Sequence, residues 1–409
     1  MKVVVFNLGC KVNQYESDVI VNVLSKKGYE VTTEFEPADY YILNTCAVTS
    51  EAERKSRQAI SRAKKCNPNA KIIVLGCASQ KNAEQFMDKD GVVTVKGIGG
   101  KYSVCDLTDR GNAVEELPTT YEDGTAKSTR TRSYVKVQDG CNNFCSYCII
   151  PYLRGRSRSR SISSVLEEIN GLIGVKEVVI TGIDLSDYGS DISEDLPSLI
   201  NALSNVDLRI RLGSLEVNVI TDRLLKALKN LKAFCPSFHL SLQTGEDSVL
   251  KSMNRHYTTE EYYSKICLIR EYFPTASITT DVIVGFPTET EENFNSTLSF
   301  VKKVGFSNVH VFPYSAREGT MAYKKYKPLE KSVLKEREKR LVEIKEQDRI
   351  NYDSKFVGKT VEVLTEDEEN GKIVGYTREY VKTYIDNAPK NAIINVKIQG
   401  LYLDGLKGE

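Results

Sequence analysis

The sequence has no tryptophan, four methionines and only three histidines, His239, His256 and His310. Histidines so few and so scattered argue against a hydrolytic zinc centre built on clustered imidazoles. There is no uninterrupted apolar run of about 18 residues, so no transmembrane helix is expected. The opening run MKVVVFNLGC lacks the long apolar stretch and small-residue cleavage site of a signal peptide and reads as a first strand. Neither sign of charge dominates: 56 Lys and Arg stand against 55 Asp and Glu. Attraction to nucleic acid must therefore come from local patches. Low-complexity tracts and short-period repeats are absent.

What the chain does have is cysteine: 10 of them in 409 residues. Without an export signal the expected location is the reducing cytoplasm, with no membrane partner. Thiols there serve as metal ligands or nucleophiles more often than as disulfides. The length suits two or three domains at roughly 100–200 residues each.

Residues 1–117 alternate between strand and helix patterns. Val3–Phe6, Tyr40–Leu43 and Lys71–Leu75 read as strands. Tyr15–Lys27 has helical apolar spacing, and Ser50–Lys65 reads as a charged helix with a capping box of Ser50 and Glu53. This order implies a parallel-sheet α/β domain. Residues 118–132 are polar and read as a linker. Over 133–349 the alternation resumes, with strands at Tyr134–Val137, Glu177–Ile180, Leu208–Leu212, His239–Leu242, Ile278–Val284 and Asn308–Phe312. Helices are expected at Ser163–Leu172 and Thr259–Phe273. Six strands with crossovers fit a partial (β/α)6 barrel with its site at the strand C-terminal ends. Lys324–Arg349 reads as a linking helix. Over 350–409 short strands (Thr360–Leu364, Lys372–Tyr376, Ile393–Gln399) predict a small all-β barrel.

The chemistry starts at GCNNFCSYC, residues 140–148. Cys141, Cys145 and Cys148 follow a predicted strand with gaps of three and two residues. Thiolates are the soft ligands that iron–sulfur clusters take. A ferredoxin run supplies four cysteines, but here the next is Cys235. Three ligands on a four-iron cluster leave one iron open. That iron can chelate S-adenosylmethionine and pass an electron to its sulfonium, giving a 5′-deoxyadenosyl radical. A structural zinc site would need a second cysteine pair or nearby histidines, and neither is present.

A second set shares one context. Cys10, Cys46 and Cys77 each end a predicted strand: VVVFNLGC, YYILNTC and KIIVLGC. Strand ends of a parallel sheet lie along one edge, where α/β proteins build sites. Cys66, Cys105, Cys235 and Cys267 show no such pattern and read as structural.

The stretch VKVQDGCNNFCSYCIIPYLRGRSRSR resembles the methylthiotransferase branch of the radical S-adenosylmethionine superfamily, a likeness that covers nearly the whole chain. The resemblance implies two [4Fe–4S] clusters, the first on Cys10, Cys46 and Cys77 and the second on Cys141, Cys145 and Cys148. It implies that S-adenosylmethionine serves as both methyl and radical source. It places Gly182, Glu216, Gln243 and Asp281 in the S-adenosylmethionine pocket. It also implies a sulfur source and an electron donor of flavodoxin or ferredoxin type. Val217 departs from the proline common after Ser-Leu-Glu in the family. LGCKVNQYES, SLQTGEDSVLKSMNRHYTTEEY and HVFPYSAREGT resemble the type that modifies threonylcarbamoyladenosine beside the tRNA anticodon. The isopentenyladenosine type usually has Gln-Met-Asn after the first cysteine, and a third type acts on a ribosomal protein. The alternative from another class is a non-catalytic iron–sulfur electron carrier or RNA-binding module.

From Gly124 to Ser164 there are eight Lys or Arg and one acid. Arg154, Arg156, Arg158 and Arg160 are expected to clamp tRNA phosphates. The C-terminal barrel resembles a TRAM domain, an RNA-binding module. It carries eight basic and ten acidic side chains, a poor electrostatic footprint for RNA. Tyr376, Tyr380 and Tyr384 read either as stacking groups or as core.

Overall fold

The computed structural model describes residues 1–108, 114, 116–126 and 130–409. The first sheet contains β1 (Lys2–Asn7), β2 (Glu30–Thr32), β3 (Tyr40–Thr45), β4 (Lys71–Gly76) and β5 (Val92–Val95), all parallel, in the order β2-β1-β3-β4-β5. β3 is buried at all six positions, as a strand covered on both faces must be. Its even and odd residues face different cores. Tyr40 and Ile42 pack with Ile20 and Leu24 of α1 (Lys11–Lys26), whereas Tyr41 and Leu43 pack with Ala59 and Ile60 of α2 (Ser50–Cys66). The expected capping box at Ser50 is not formed. Thr49 is the cap and accepts from the Ala52 N–H at 3.1 Å. Glu53 is thereby free to pair with Lys81 and Arg317.

The described part of the expected linker is a packed strap. Asn22 donates to the Thr125 carbonyl (2.8 Å), Glu168 accepts from the Ala126 N–H (2.8 Å), and Ala126 is buried. Residues 127–129 of that linker, Lys127 of the basic run among them, lie outside the described residues.

Next come β6 (Arg132–Lys136), a two-residue antiparallel ribbon of β7 (Gln138–Asp139) and β8 (Arg158–Ser159), and then β9 (Glu177–Thr181), β10 (Arg209–Leu212), β11 (Ser214–Leu215), β12 (Ser237–Leu240), β13 (Ser277–Val284) and β14 (Asn308–Pro313). β10 and β11 are one strand broken at Gly213. The parallel sheets β6-β9-β10 and β11-β12-β13-β14 meet at that break. The result is the six-stranded partial (β/α) barrel expected, with helices such as Ile162–Asn170 and Thr259–Tyr272 outside it. Its largest apolar cluster runs from Val135 to Leu341, between the strands and those helices.

The expected linking helix is two helices. Met321–Lys325 stops before Pro328, which cannot continue a helix, and Lys331–Asp353 resumes beyond it. The C-terminal strands β15 (Thr360–Glu369), β16 (Lys372–Thr377), β17 (Lys382–Ile385), β18 (Ile393–Tyr402) and β19 (Gly405–Gly408) close into a barrel in the order β15-β16-β17-β19-β18. Arg209 of β10 ties it to the central domain through two N–H bonds to the Glu362 carboxylate, at 2.7 and 3.0 Å. Among the described residues, no helix is long and apolar enough to cross a membrane.

Candidate active site

The N-terminal cysteines are brought together by sheet register. Asn7 of β1 pairs with Asn44 of β3, and Thr45 of β3 pairs with Gly76 of β4. Neighbouring strands run about 4.8 Å apart, so Cys46 and Cys77, one residue beyond that last pair, start side by side. Gly76 has φ +108°, and a Cβ there would sit 2.6 Å from the Thr45 carbonyl, so the turn that delivers Cys77 requires glycine. Cys10 is the N-cap of α1, and its thiol donates to Asn13 Oδ1 at 3.3 Å. Asn13 is held in turn by the Asn44 side chain (2.9 Å) and the Thr45 carbonyl (3.1 Å).

The second set lies on the loop after β7. Gly140 has φ +75°, and a Cβ there would fall 2.0 Å from the Arg156 carbonyl. The Cys141 N–H donates to the Gly155 carbonyl (3.1 Å), and the Cys148 N–H to the Cys145 carbonyl (2.9 Å). Ser146 is pinned on both sides, by the Met253 carbonyl and the Ala322 N–H, at 2.9 and 2.7 Å. The loop is therefore fixed from three directions before any metal is considered.

Both sets open into one cavity of about 550 Å³. All six cysteines line it, together with Gly182, Glu216, Gln243 and Asp281 from the ends of the barrel strands. At Gly182 a Cβ would approach Gln138 Oε1 to 2.8 Å, so the glycine keeps that wall open. Gln243 adopts φ +68°, held by backbone bonds to Asp281 and Ile283 at 2.9 Å each. Glu216 forms an ion pair with Arg255.

Sulfur-directed donors accompany the thiols. Arg255 Nη1 lies 3.3 Å from Cys145 Sγ, Arg154 Nε lies 3.3 Å from Cys77 Sγ, and the Asn143 N–H lies 3.4 Å from Cys141 Sγ. Burial pushes the Cys77 and Cys148 thiols up to about 12. Protonated thiols in such a place are idle, whereas thiolates on iron would be matched by these N–H donors. Two three-thiol sets with N–H···S donors, facing one cavity, fit two iron–sulfur clusters each with an open iron. Asp184, whose carboxyl is raised to about 6 by burial and by Glu216 and Asp187, lies 3.6 Å from Cys141 Sγ.

The arginine run departs from its expected role. Arg154, Arg158 and Arg160 are buried, and only Arg156 is exposed. Arg154 donates to Glu16 Oε1 (3.0 Å), Asp139 Oδ1 (2.9 Å) and Asn13 Oδ1 (3.0 Å). Lys101 and Lys136 complete this network, at 2.7 Å from Glu16 and 3.1 Å from Asp139. Arg158 donates to the carbonyls of Arg154 (2.8 Å) and Arg156 (2.7 Å), and Arg160 pairs with Glu168 and Asp123. Arg154 and Arg160 join the N-terminal domain and the strap to the barrel while Arg158 braces the run itself, so of the four expected phosphate ligands only Arg156 is exposed, stacked over Phe144 at 4.5 Å. Lys11, Asp184 and Arg255 are site groups that sequence reasoning missed, and Arg154 was expected on phosphate where it in fact lies against Cys77. Only Lys11 carried a signal, its place beside Cys10.

The tyrosines divide. Tyr384 is buried and bonded to Asp404. Tyr376 and Tyr380 stack at 4.6 Å, and Tyr380 lies under Arg211 and Arg132 at 4.5 and 5.0 Å.

Residues 2–97 match the uncharacterized protein family UPF0004, and residues 135–301 match the radical SAM superfamily. The threonylcarbamoyladenosine tRNA methylthiotransferase MtaB of Bacillus subtilis (strain 168) is 36% identical over 96% of this chain and 92% of its own length. The enzyme of that name from Thermotoga maritima is 38% identical over 97% and 94%. The tRNA-2-methylthio-N(6)-dimethylallyladenosine synthase of Pelotomaculum thermopropionicum is 34% identical over 100% and 96%. Among solved structures, the radical S-adenosylmethionine methyltransferase TsrM from Kitasatospora setae has a TM-score of 0.56 at 14% identity, over 76% of this chain and 72% of its own, a likeness of fold alone. The chain belongs to the radical S-adenosylmethionine tRNA methylthiotransferases, transferases that work with S-adenosylmethionine and two [4Fe–4S] clusters.

Proposed function

We propose that the chain methylthiolates C2 of N6-threonylcarbamoyladenosine at position 37 of tRNA. Cys141, Cys145 and Cys148 hold the cluster that binds S-adenosylmethionine, and Cys10, Cys46 and Cys77 hold the sulfur-carrying cluster. The observation that supports the reading most is the shared cavity, in which both thiol sets face one space of about 550 Å³. When bound, the cofactors supply a carbon-centred radical, which the weakly acidic C2–H requires, together with sulfur and methyl.

The protein's own residues bind and orient. Gly182, Gln243 and Asp281 line the S-adenosylmethionine pocket, with Glu216 held in place by Arg255. Arg255 and Arg154 direct charged N–H groups at one thiolate of each set. The N-terminal domain closes the mouth of the barrel and limits the entry of water. The working units are residues 1–117, 133–349 and 350–409. The last is a TRAM-like barrel that contacts tRNA, and the protein acts in the cytoplasm with an external electron donor and sulfur source. The threonylcarbamoyl assignment rests on the names of similar proteins at 36–38% identity. Relatives named for the dimethylallyl substrate reach 33–34%.

The test is mass spectrometry of tRNA nucleosides from a strain lacking the gene. Methylthio-threonylcarbamoyladenosine should vanish and return with the wild-type gene. Loss of the methylthio-isopentenyl nucleoside instead would move the enzyme to the other substrate. In the purified protein, alanine at Cys10, Cys46 and Cys77 should keep S-adenosylmethionine cleavage and abolish sulfur insertion.

A further inference from the structure

A second cavity of about 560 Å³ runs down the barrel interior, from the cofactor site to the C-terminal barrel. It shares Lys11, Ser214 and Asp281 with the cofactor cavity, so the two spaces are continuous at those residues. Its walls are mixed: Ser237, Thr279, Asn308, His239 and His310 are interleaved with Val179, Leu212, Phe312 and a set of tyrosines. Most of its cations are already neutralised. Arg132 and Arg211 share Glu177, Arg349 pairs with Asp353, and Lys382 pairs with Asp404 and Glu369. Among the described residues, Lys11 has no such partner.

Opposite Lys11, His239 Nδ1 lies 2.9 Å from Thr279 Oγ1 and its Nε2 lies 3.4 Å from Asp281 Oδ2. The His310 ring is 5.7 Å from that of His239. The junction thus offers one unpaired cation, one carboxylate and two imidazoles. It suits a ligand carrying a negative charge, N–H donors and a hydroxyl. An isopentenyl group has none of these and could pair with none of the four side chains, so the junction gives it no polar contact.

We propose that this cavity receives the N6 substituent of the target adenine, with Lys11 pairing with its carboxylate, Asp281 accepting from its urea N–H and His310 facing its hydroxyl. The inference rests on the threonylcarbamoyl reading above. Purine C2 and the N6-bearing C6 flank N1 and their exocyclic bonds diverge, so C2 can face the cofactors while the substituent enters the side cavity. The alternative occupant is a divalent cation on His239, Asp281 and His310, whose ligand atoms lie within 4.8 Å of one another. The unpaired charge of Lys11 opposes it.

The experiment uses the reconstituted full-length enzyme and three RNAs: threonylcarbamoyl-tRNA, the same tRNA with the carboxylate amidated, and isopentenyl-tRNA. A charge-assisted contact is worth roughly 1.5–3 kcal/mol, so amidation should lower wild-type kcat/KM by about 10- to 150-fold. K11M should lose a similar factor on the carboxylate substrate and no longer distinguish carboxylate from amide. K11R should restore part of the discrimination. H310F should raise the dissociation constant for threonylcarbamoyl-tRNA, measured without S-adenosylmethionine. Equal wild-type rates on carboxylate and amide would overturn the proposal, as would K11M that still discriminates. So would a stoichiometric non-cluster metal ion that H310F removes. If K11M fails to hold its clusters, the amidated RNA on wild type still decides. Wild type acting on isopentenyl-tRNA but not on threonylcarbamoyl-tRNA would instead sink the substrate reading itself.

Discussion

Replacing Arg154 by methionine removes the centre of the interdomain charge network without removing its volume. The side chain is fully buried, with Glu16 and Asp139 as carboxylate partners and Lys101 and Lys136 as fellow cations. Its bonds to the carboxylates measure 2.9, 3.0 and 3.3 Å. At roughly 1.5–3 kcal/mol for each hydrogen bond to a charge, a plain sum gives about 5–9 kcal/mol. That sum overstates the loss, because Lys101 at 2.7 Å still compensates Glu16 and Lys136 at 3.1 Å still compensates Asp139. About 3–5 kcal/mol is the reasonable expectation for breaking a buried charged set. Urea unfolding of the full chain, followed by far-ultraviolet circular dichroism, measures it. A loss under about 1 kcal/mol would refute the view that this network holds the two domains together.

The pH dependence gives a second reading of the same variant. Beside Arg154 and the two lysines, and against the effect of burial, Glu16 and Asp139 are held well below the ordinary carboxylate range. Their native values lie under the unfolded ones of about 4, so the stabilisation is complete above about pH 4 and is lost as pH falls through the lower native values. In R154M those native values rise, and acid unfolding should begin at higher pH.

Three other tests follow from single positions. G140A should force the loop off the Arg156 carbonyl, a strain of roughly 1–3 kcal/mol, and iron per chain after reconstitution should fall by about one cluster's worth. R255M removes the charged N–H from Cys145, and the potential of that cluster in an electron paramagnetic resonance titration should fall by roughly 60–130 mV, the one-electron equivalent of about 1.5–3 kcal/mol. Asp348 is half-buried with an unbonded carboxylate oxygen, and burial raises it to about 6. Its native value exceeds the unfolded one, so its ionisation opposes folding as pH rises through that range. D348N should therefore raise the melting temperature at pH 7.5 and leave it unchanged at pH 4.

The six cysteines that line the shared cavity were legible because their signals are local. Three lie within eight residues, and three end strands marked by β-branched runs such as Lys71–Gly76. The six barrel strands were legible for the same reason. The arginine run was not. Arg154 finds Glu16 138 residues away, and nothing in the run RGRSRSR distinguishes a side chain that will be buried from one that stays in solvent. β17 and β19 escaped notice because KTYI and GLKG are four-residue strands with little apolar pattern of their own. Ser50 and Thr49 are both good caps. The choice between them is made by where β3 ends and Cys46 must point.

The first two turns of α1 do several jobs at once. Cys10 caps the helix, Lys11 faces the side cavity, Asn13 fixes the Cys10 thiol and Glu16 anchors the barrel. The tripeptide after Cys10, Lys-Val-Asn here against the Gln-Met-Asn usual in the isopentenyl type, keeps the residue that orients the thiol and changes its two predecessors. On the reading proposed above, such a lineage explores new nucleosides by point substitution, because the residue assigned to the base and the residue assigned to the metal are separate letters. It cannot explore them by insertion or deletion there, since one added residue would rotate the helix by about 100° and disconnect every one of these groups together.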